Sequence, residues 1–135
     1  MLEEVGGEEM IDRLIVATEN QDGLTAPIAE HFGRAPYFTI IDLDSDKKWD
    51  IASVKAIDNT SEHRGGVGSP HDSLTKLHPK ALIVQGMGPR GIMAFQSAGI
   101  EVLKANAGTV KEVVEAYKQG RLTELTEGCA EAHHH

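Results

Sequence analysis

The chain has 135 residues and a single cysteine, Cys129. No internal disulfide framework can form, and a lone thiol agrees with a reducing compartment. Positive charge is in short supply: 13 basic against 21 acidic side chains leave a formal charge of −8. That balance gives no electrostatic footprint for duplex nucleic acid or an anionic membrane, so any bound anion must be held by local groups. No apolar run approaches the roughly 20 residues of a membrane span, and no charged-then-apolar leader opens the chain. The expectation is a soluble, cytoplasmic protein with no nucleic-acid or membrane partner. A Ser-His-Asp or paired-carboxylate constellation is also missing, and no Gly-Lys-Ser/Thr follows either glycine loop, which excludes the phosphate-loop pattern.

Apolar residues make up 40% of the chain, enough for one compact core and too little for two. Residues 1–10 (MLEEVGGEEM) are acidic and lack apolar periodicity, which reads as a disordered N-terminal extension, added or native. The expected domain runs over 11–126. Residues 127–135 form a flexible Cys/His tail whose terminal His133, His134 and His135 are either the remnant of a purification tag or native. In the native case, Cys129 offers a metal ligand on a mobile arm.

Within the domain, residues 11–19 read as an interior strand, because β-branched and bulky apolar residues fall in one short block. Residues 37–43 and 49–57 read as an antiparallel hairpin across a short polar turn. Ser69, Pro70 and Asp72 resemble a helix start, with a short helix to about Leu77. Residues 80–85 and 100–103 read as strands, with a helix from Pro89 to about Ala98 between them. The helix over 109–119 is the plainest: Val110, Val113, Val114 and Tyr117 fall at helical spacing, Thr109 and Glu112 form a capping box, and Gly120 stops it. Strands alternating with helices predict parallel crossovers, hence a three-layer α/β domain with a mixed sheet.

In such folds ligands sit outside the carboxyl ends of the strands, where loops lead into helices. Three loops qualify: residues 20–35, which contain the HFGR segment; residues 65–72, which contain Gly66 and Gly68; and residues 86–91 (GMGPRG). Free backbone N–H groups in glycine loops attract anions, and a neutral imidazole binds transition metals. His31 is therefore the first candidate ligand. The plain alternatives stand beside this: the glycine loops as tight turns, Arg34 and Arg90 as surface ion pairs, and His63, His71 and His78 as exposed or capping residues without metal-ligand spacing, with His71, in the first turn of the expected helix, the next candidate for a second ligand. A hydrolase would need an acidic cluster holding a divalent metal. Asp42 and Asp44 share a strand face with no third partner.

Taken together, EHFGRAPYF after a strand and a DGL loop, then GVG, then ALIVQGMGPRG, GIEV and VKEVVEAYKQGRL resemble the dinitrogenase iron-molybdenum cofactor biosynthesis family over about residues 12–125. That family includes nitrogenase cofactor carriers and accessory proteins and the orange protein with its molybdenum-copper sulfide cluster. The resemblance implies a ribonuclease-H-like three-layer fold with a five-stranded mixed sheet flanked by helices. It also implies a non-enzymatic carrier for an iron-sulfur or molybdenum-containing metal-sulfur cluster, or its precursor, with cluster donor or acceptor proteins as partners. The alternative is a regulatory or protein-interaction domain that keeps the fold without metal. Carried over by motif, the cluster-binding histidine falls on His31, and the glycine loops on Gly66, Val67 and Gly68 and on Gly86 to Gly91, with Gly66, Gly68, Gly86 and Gly88 as the candidate binding glycines. Gly33 makes the turn. Arg34 and Arg90 are inferred to hydrogen-bond the sulfide face of the cluster. No cysteine lies inside the domain, so thiolate capping is not available there, which suits a temporary holder better than an electron-transfer protein.

Overall fold

The structure, a computed structural model, describes residues 11–44, 50–59 and 74–125. Six strands form one mixed sheet: β1 (Ile11–Thr18), β2 (Tyr37–Asp44), β3 (Asp50–Asp58), β4 (Ala81–Val84), β5 (Glu101–Lys104) and β6 (Thr123–Glu124), in the order β3-β2-β1-β4-β5-β6. β1 is central because Leu14 to Thr18 are buried without interruption, leaving no side of this stretch suited to water. It pairs antiparallel with β2 and parallel with β4, and β4 pairs parallel with β5. The β2–β3 hairpin forms as expected, with a register shift between Asp42 and Leu43.

Among the described residues, two nine-residue helices cover opposite faces. α1 (Pro89–Ser97) buries Ile92 and Phe95 against Ile15, Ala17, Ile40, Leu82 and Val84. α2 (Val110–Lys118) buries Val110, Val113 and Val114 against Leu14, Val16, Ile41, Leu43 and Ile83. Alternate residues of each strand therefore feed alternate layers, the period-2 consequence of the pleat. Both halves of the α2 capping box are present, and Gly120 (φ +69°) donates its N–H to the Tyr117 carbonyl at the helix end.

One expectation is corrected. The sheet has six strands rather than five: two-residue β6 pairs with β5 through Leu103 and Lys104, too short to leave a period in the sequence. The short helix expected to about Leu77 has its end among the described residues, where Leu74 and Thr75 are helical and Lys76 and Leu77 form a turn; the Ser69, Pro70 and Asp72 start lies outside the described residues. The turn ends at His78, at φ 55°, and Pro79 prevents any continuation.

Asp42 is engaged structurally. Arg13, its cross-strand neighbour, donates to both carboxylate oxygens (2.8 and 3.1 Å) and to the Leu77 carbonyl (3.0 Å), and the Ser53 hydroxyl donates to Asp42 as well (3.3 Å). Asp42 thus ties the 74–77 turn to the sheet through Arg13.

Tyr117, half-buried on α2, has its phenol pushed up to about 12, first by burial and then by the charges of Asp12 and Glu101. The neutral phenol is the form the fold favours. Its contribution is complete below the ordinary value of 10.0 and is lost as pH rises toward about 12. Chemical denaturation from pH 9 upward should therefore show a decline that Tyr117→Phe removes; an identical alkaline profile in the variant would refute the assignment.

Candidate functional site: a glycine-lined recess beside His31

β1, β4 and β5 run parallel, so their carboxyl ends share one edge of the sheet, and the β1–β2 connection, residues 19–36, crosses that edge. Hydrogen bonds fix its path. Ala29 N–H donates to Ala17 C=O (2.9 Å), Ile28 N–H to Gly108 C=O (2.9 Å), and Val110 N–H to Ala26 C=O (3.1 Å). The connection also splits between layers: Ala26 and Ile28 join the α2 side of the core, whereas Ala29, Phe32 and Ala35 join the α1 side.

Its second half turns into a short 3₁₀ helix, Phe32–Arg34, with His31 as the exposed residue before it. Phe32 is the anchor. It is buried, with its ring 5.3 Å from Phe38 and 5.6 Å, edge-on, from Phe95 of α1. Its N–H donates to the Gly86 carbonyl at 3.0 Å, joining the HFG loop to the GMG loop. Buried Asn59 holds the far end, donating from its side chain to Ala35 C=O (2.8 Å) and from its backbone to Pro36 C=O (2.9 Å). Gly66 and Gly68 lie outside the described residues.

Between the two loops is a recess of about 220 Å³ lined by His31, Phe32, Gly33, Gly86, Met87, Gly88 and Gly91. Four of the expected residues, His31, Gly33, Gly86 and Gly88, meet there. Gly88 is the N-cap of α1 and Pro89 its first residue, so the recess lies at a helix start. Gly33 and Gly88 have no positive φ, and among the described residues a Cβ added to either would meet no atom within 4 Å beyond its chain neighbours. Neither internal packing nor backbone strain demands glycine at these positions. Both glycines border the recess, and a side chain at either would enter open space.

Arg34 and Arg90 are exposed and stand outside this lining, and Cys129 lies outside the described residues. Phe32, Met87 and Gly91 also belong to the wall; Met87 and Gly91 fall within the expected 86–91 loop, whereas Phe32 was not among the candidate residues. The apolar residue between two polar loop residues in HFG, and Met between two glycines, were the available signals. Among the described residues no group of three or more His, Cys, Asp or Glu is placed to hold a metal ion. The donor set around the recess, one imidazole with glycine backbone and a thioether, suits a preassembled guest with its own ligands better than a bare cation. A larger recess of about 560 Å³ follows α2, but Lys111, Glu112, Glu115 and Arg121 give it mixed charge, and it has none of the histidine and glycine features. On its lining chemistry the smaller recess is the better candidate.

Fold and recess together define a small α/β domain with a mixed sheet and a glycine-lined hollow at the carboxyl ends of its parallel strands. The chain belongs to the dinitrogenase iron-molybdenum cofactor family, whose profile matches residues 12–120. It is 32% identical over 97 residues to an uncharacterized protein of Methanocaldococcus jannaschii, covering 70% of this chain and 80% of the relative. In structure it is similar to the apo form of the orange protein from Desulfovibrio gigas, with a TM-score of 0.69, 24% identity, and coverage of 87% of this chain and 95% of the other. A Thermotoga protein of the DUF35 family is also similar, with a TM-score of 0.64, 26% identity, and coverage of 85% and 94%. No helix among the described residues is long and apolar enough to cross a membrane.

Proposed function

We propose that this protein is a non-enzymatic carrier that holds an anionic metal-sulfur cluster, of iron-sulfur or molybdenum-containing type, or its precursor, in the recess beside His31. The observation that carries this reading is the pair of glycines, Gly33 and Gly88, facing open space where neither packing nor φ calls for glycine. His31 supplies one exchangeable ligand, and the loop backbone supplies N–H groups for a sulfide face. Few protein ligands suit a guest that must leave again for an acceptor protein. Family membership supports the class of cargo. A cytoplasmic setting, where sulfide clusters are assembled under reducing conditions, belongs to the same reading. So does a ribonuclease-H-like scaffold, with the order β3-β2-β1-β4-β5 as the main sheet and β6 an added edge.

The test is anaerobic reconstitution of the untagged chain with iron and sulfide, and separately with tetrathiomolybdate. The expected product is a coloured complex of fixed stoichiometry. Gly88→Ala should fold with a stability change within about 1 kcal/mol, since its φ of −70° and ψ of 161° suit alanine. The same variant should bind the cluster at least about tenfold more weakly, equivalent to about 1.4 kcal/mol. A wild-type chain that takes up no cluster would sink the carrier reading in favour of a regulatory or interaction domain. Undiminished binding by Gly88→Ala would move the site elsewhere.

A further inference from the structure

β3 is an edge strand of nine residues, and among the described residues no strand pairs with its outer side. Such an edge invites another strand unless something blocks it. Its sequence, DIASVKAID, reads almost the same in both directions, Ser53 and Lys55 being the one mismatch. An antiparallel pair of identical strands related by a twofold axis through Val54 sets each residue opposite its mirror position. Val54 then faces Val54 of the partner, Ser53 faces the partner's Lys55, and Ala52 faces the partner's Ala56.

The ladder to β2 determines which backbone groups are available. Asn59 N–H donates to Pro36 C=O, which makes that the hydrogen-bonded type of opposed pair. Pairs alternate along an antiparallel ladder, so the Ala56 and Val54 pairs are of the other type and turn their N–H and C=O groups outward. A twofold axis through Val54 brings two such outward sets together.

Side-chain charge favours the same register. Arg13, Asp42 and Ser53 form a row across β1, β2 and β3 on one face, joined by hydrogen bonds. The pairing adds the partner's Lys55 to the end of that row, beside Ser53, with its ammonium directed along the sheet toward the Asp42 carboxylate. At the outer ends Asp50 would oppose the partner's Asp58, which is unfavourable. The bulge that leaves Ala52 unmatched on β2 bends that end of β3 and limits the regular ladder to its centre, letting the acidic ends diverge.

We infer that β3 is a self-association edge through which two copies of this chain join their sheets, with Val54 on the twofold axis. The expected result is a reversible dimer in sedimentation equilibrium of the full chain, weakened about tenfold by Lys55→Glu, which turns an attractive row repulsive. Lys55 is exposed, so this variant should keep the wild-type circular dichroism spectrum and unfolding midpoint. Register is tested in a Cys129→Ser background. On oxidation, Val54→Cys should cross-link to itself in high yield. Ala52→Cys should not, because its own copy lies about 13 Å away along the strand, beyond disulfide reach. A chain that stays monomeric at every concentration, a dimer indifferent to Lys55→Glu, or equal cross-linking of the two cysteine variants would overturn the inference.

Discussion

Phe32→Ala is expected to destabilise the protein by about 3–5 kcal/mol, the usual cost of deleting a buried phenyl ring. The ring is 4% exposed and packs between Phe38 of β2 and Phe95 of α1, so its loss leaves a hole where a loop, a strand and a helix meet. The cost should exceed that of Phe32→Leu by more than half, since leucine refills most of the volume. A functional effect should accompany it. With the anchor gone, the Phe32 to Gly86 hydrogen bond has nothing to hold it in register, and the amides of residues 31–34 should exchange with solvent faster than those of β1. Denaturant titration and hydrogen exchange measure the two parts. A loss below about 1 kcal/mol would mean that the loop is held elsewhere.

His31→Ala should have the opposite profile. The imidazole is exposed and makes no capping hydrogen bond, so its removal should leave stability within about 0.5 kcal/mol of wild type. Cluster affinity should fall at least about tenfold, as it does when even an outer-shell partner of a metal is lost. Imidazole added to the variant should restore part of the colour if the lost group was a ligand. Equal affinity in wild type and variant would remove His31 from the site while leaving the recess itself to be tested by Gly88→Ala. The two variants together separate the scaffold of the site from its chemistry, because one changes the packing beneath the loop and the other changes only what the loop presents.

The linear chain marked its regular elements clearly. The block LIVA in β1, the hairpin of β2 and β3, the capping box at Thr109 and Glu112, and Pro89 at the start of α1 are local signals, each written within a few residues. They were legible because strand burial, cap chemistry and proline geometry act over one or two turns of chain. β6 was not, since two exposed residues carry no pattern and pair only because β5 is already in place. Asp42 shows the same limit. As a sequence residue it was a spare carboxylate, and only the cross-strand register gives it to Arg13.

For the site, the sequence by itself determined the ingredients: a histidine ahead of a turn, glycine loops before helices, and a resemblance that points to cluster chemistry. The tertiary structure decided their assembly. The Phe32 to Gly86 bond and the Phe32, Phe38 and Phe95 packing bring residues more than 50 positions apart into one wall, and they leave Arg34 and Arg90 outside it. Long-range contact depends on where β1 and β4 lie side by side, a property of the whole sheet that no local window of sequence contains. Whether a glycine is a turn or a piece of empty wall is likewise a question of what surrounds it, and at Gly33 and Gly88 the surroundings are open.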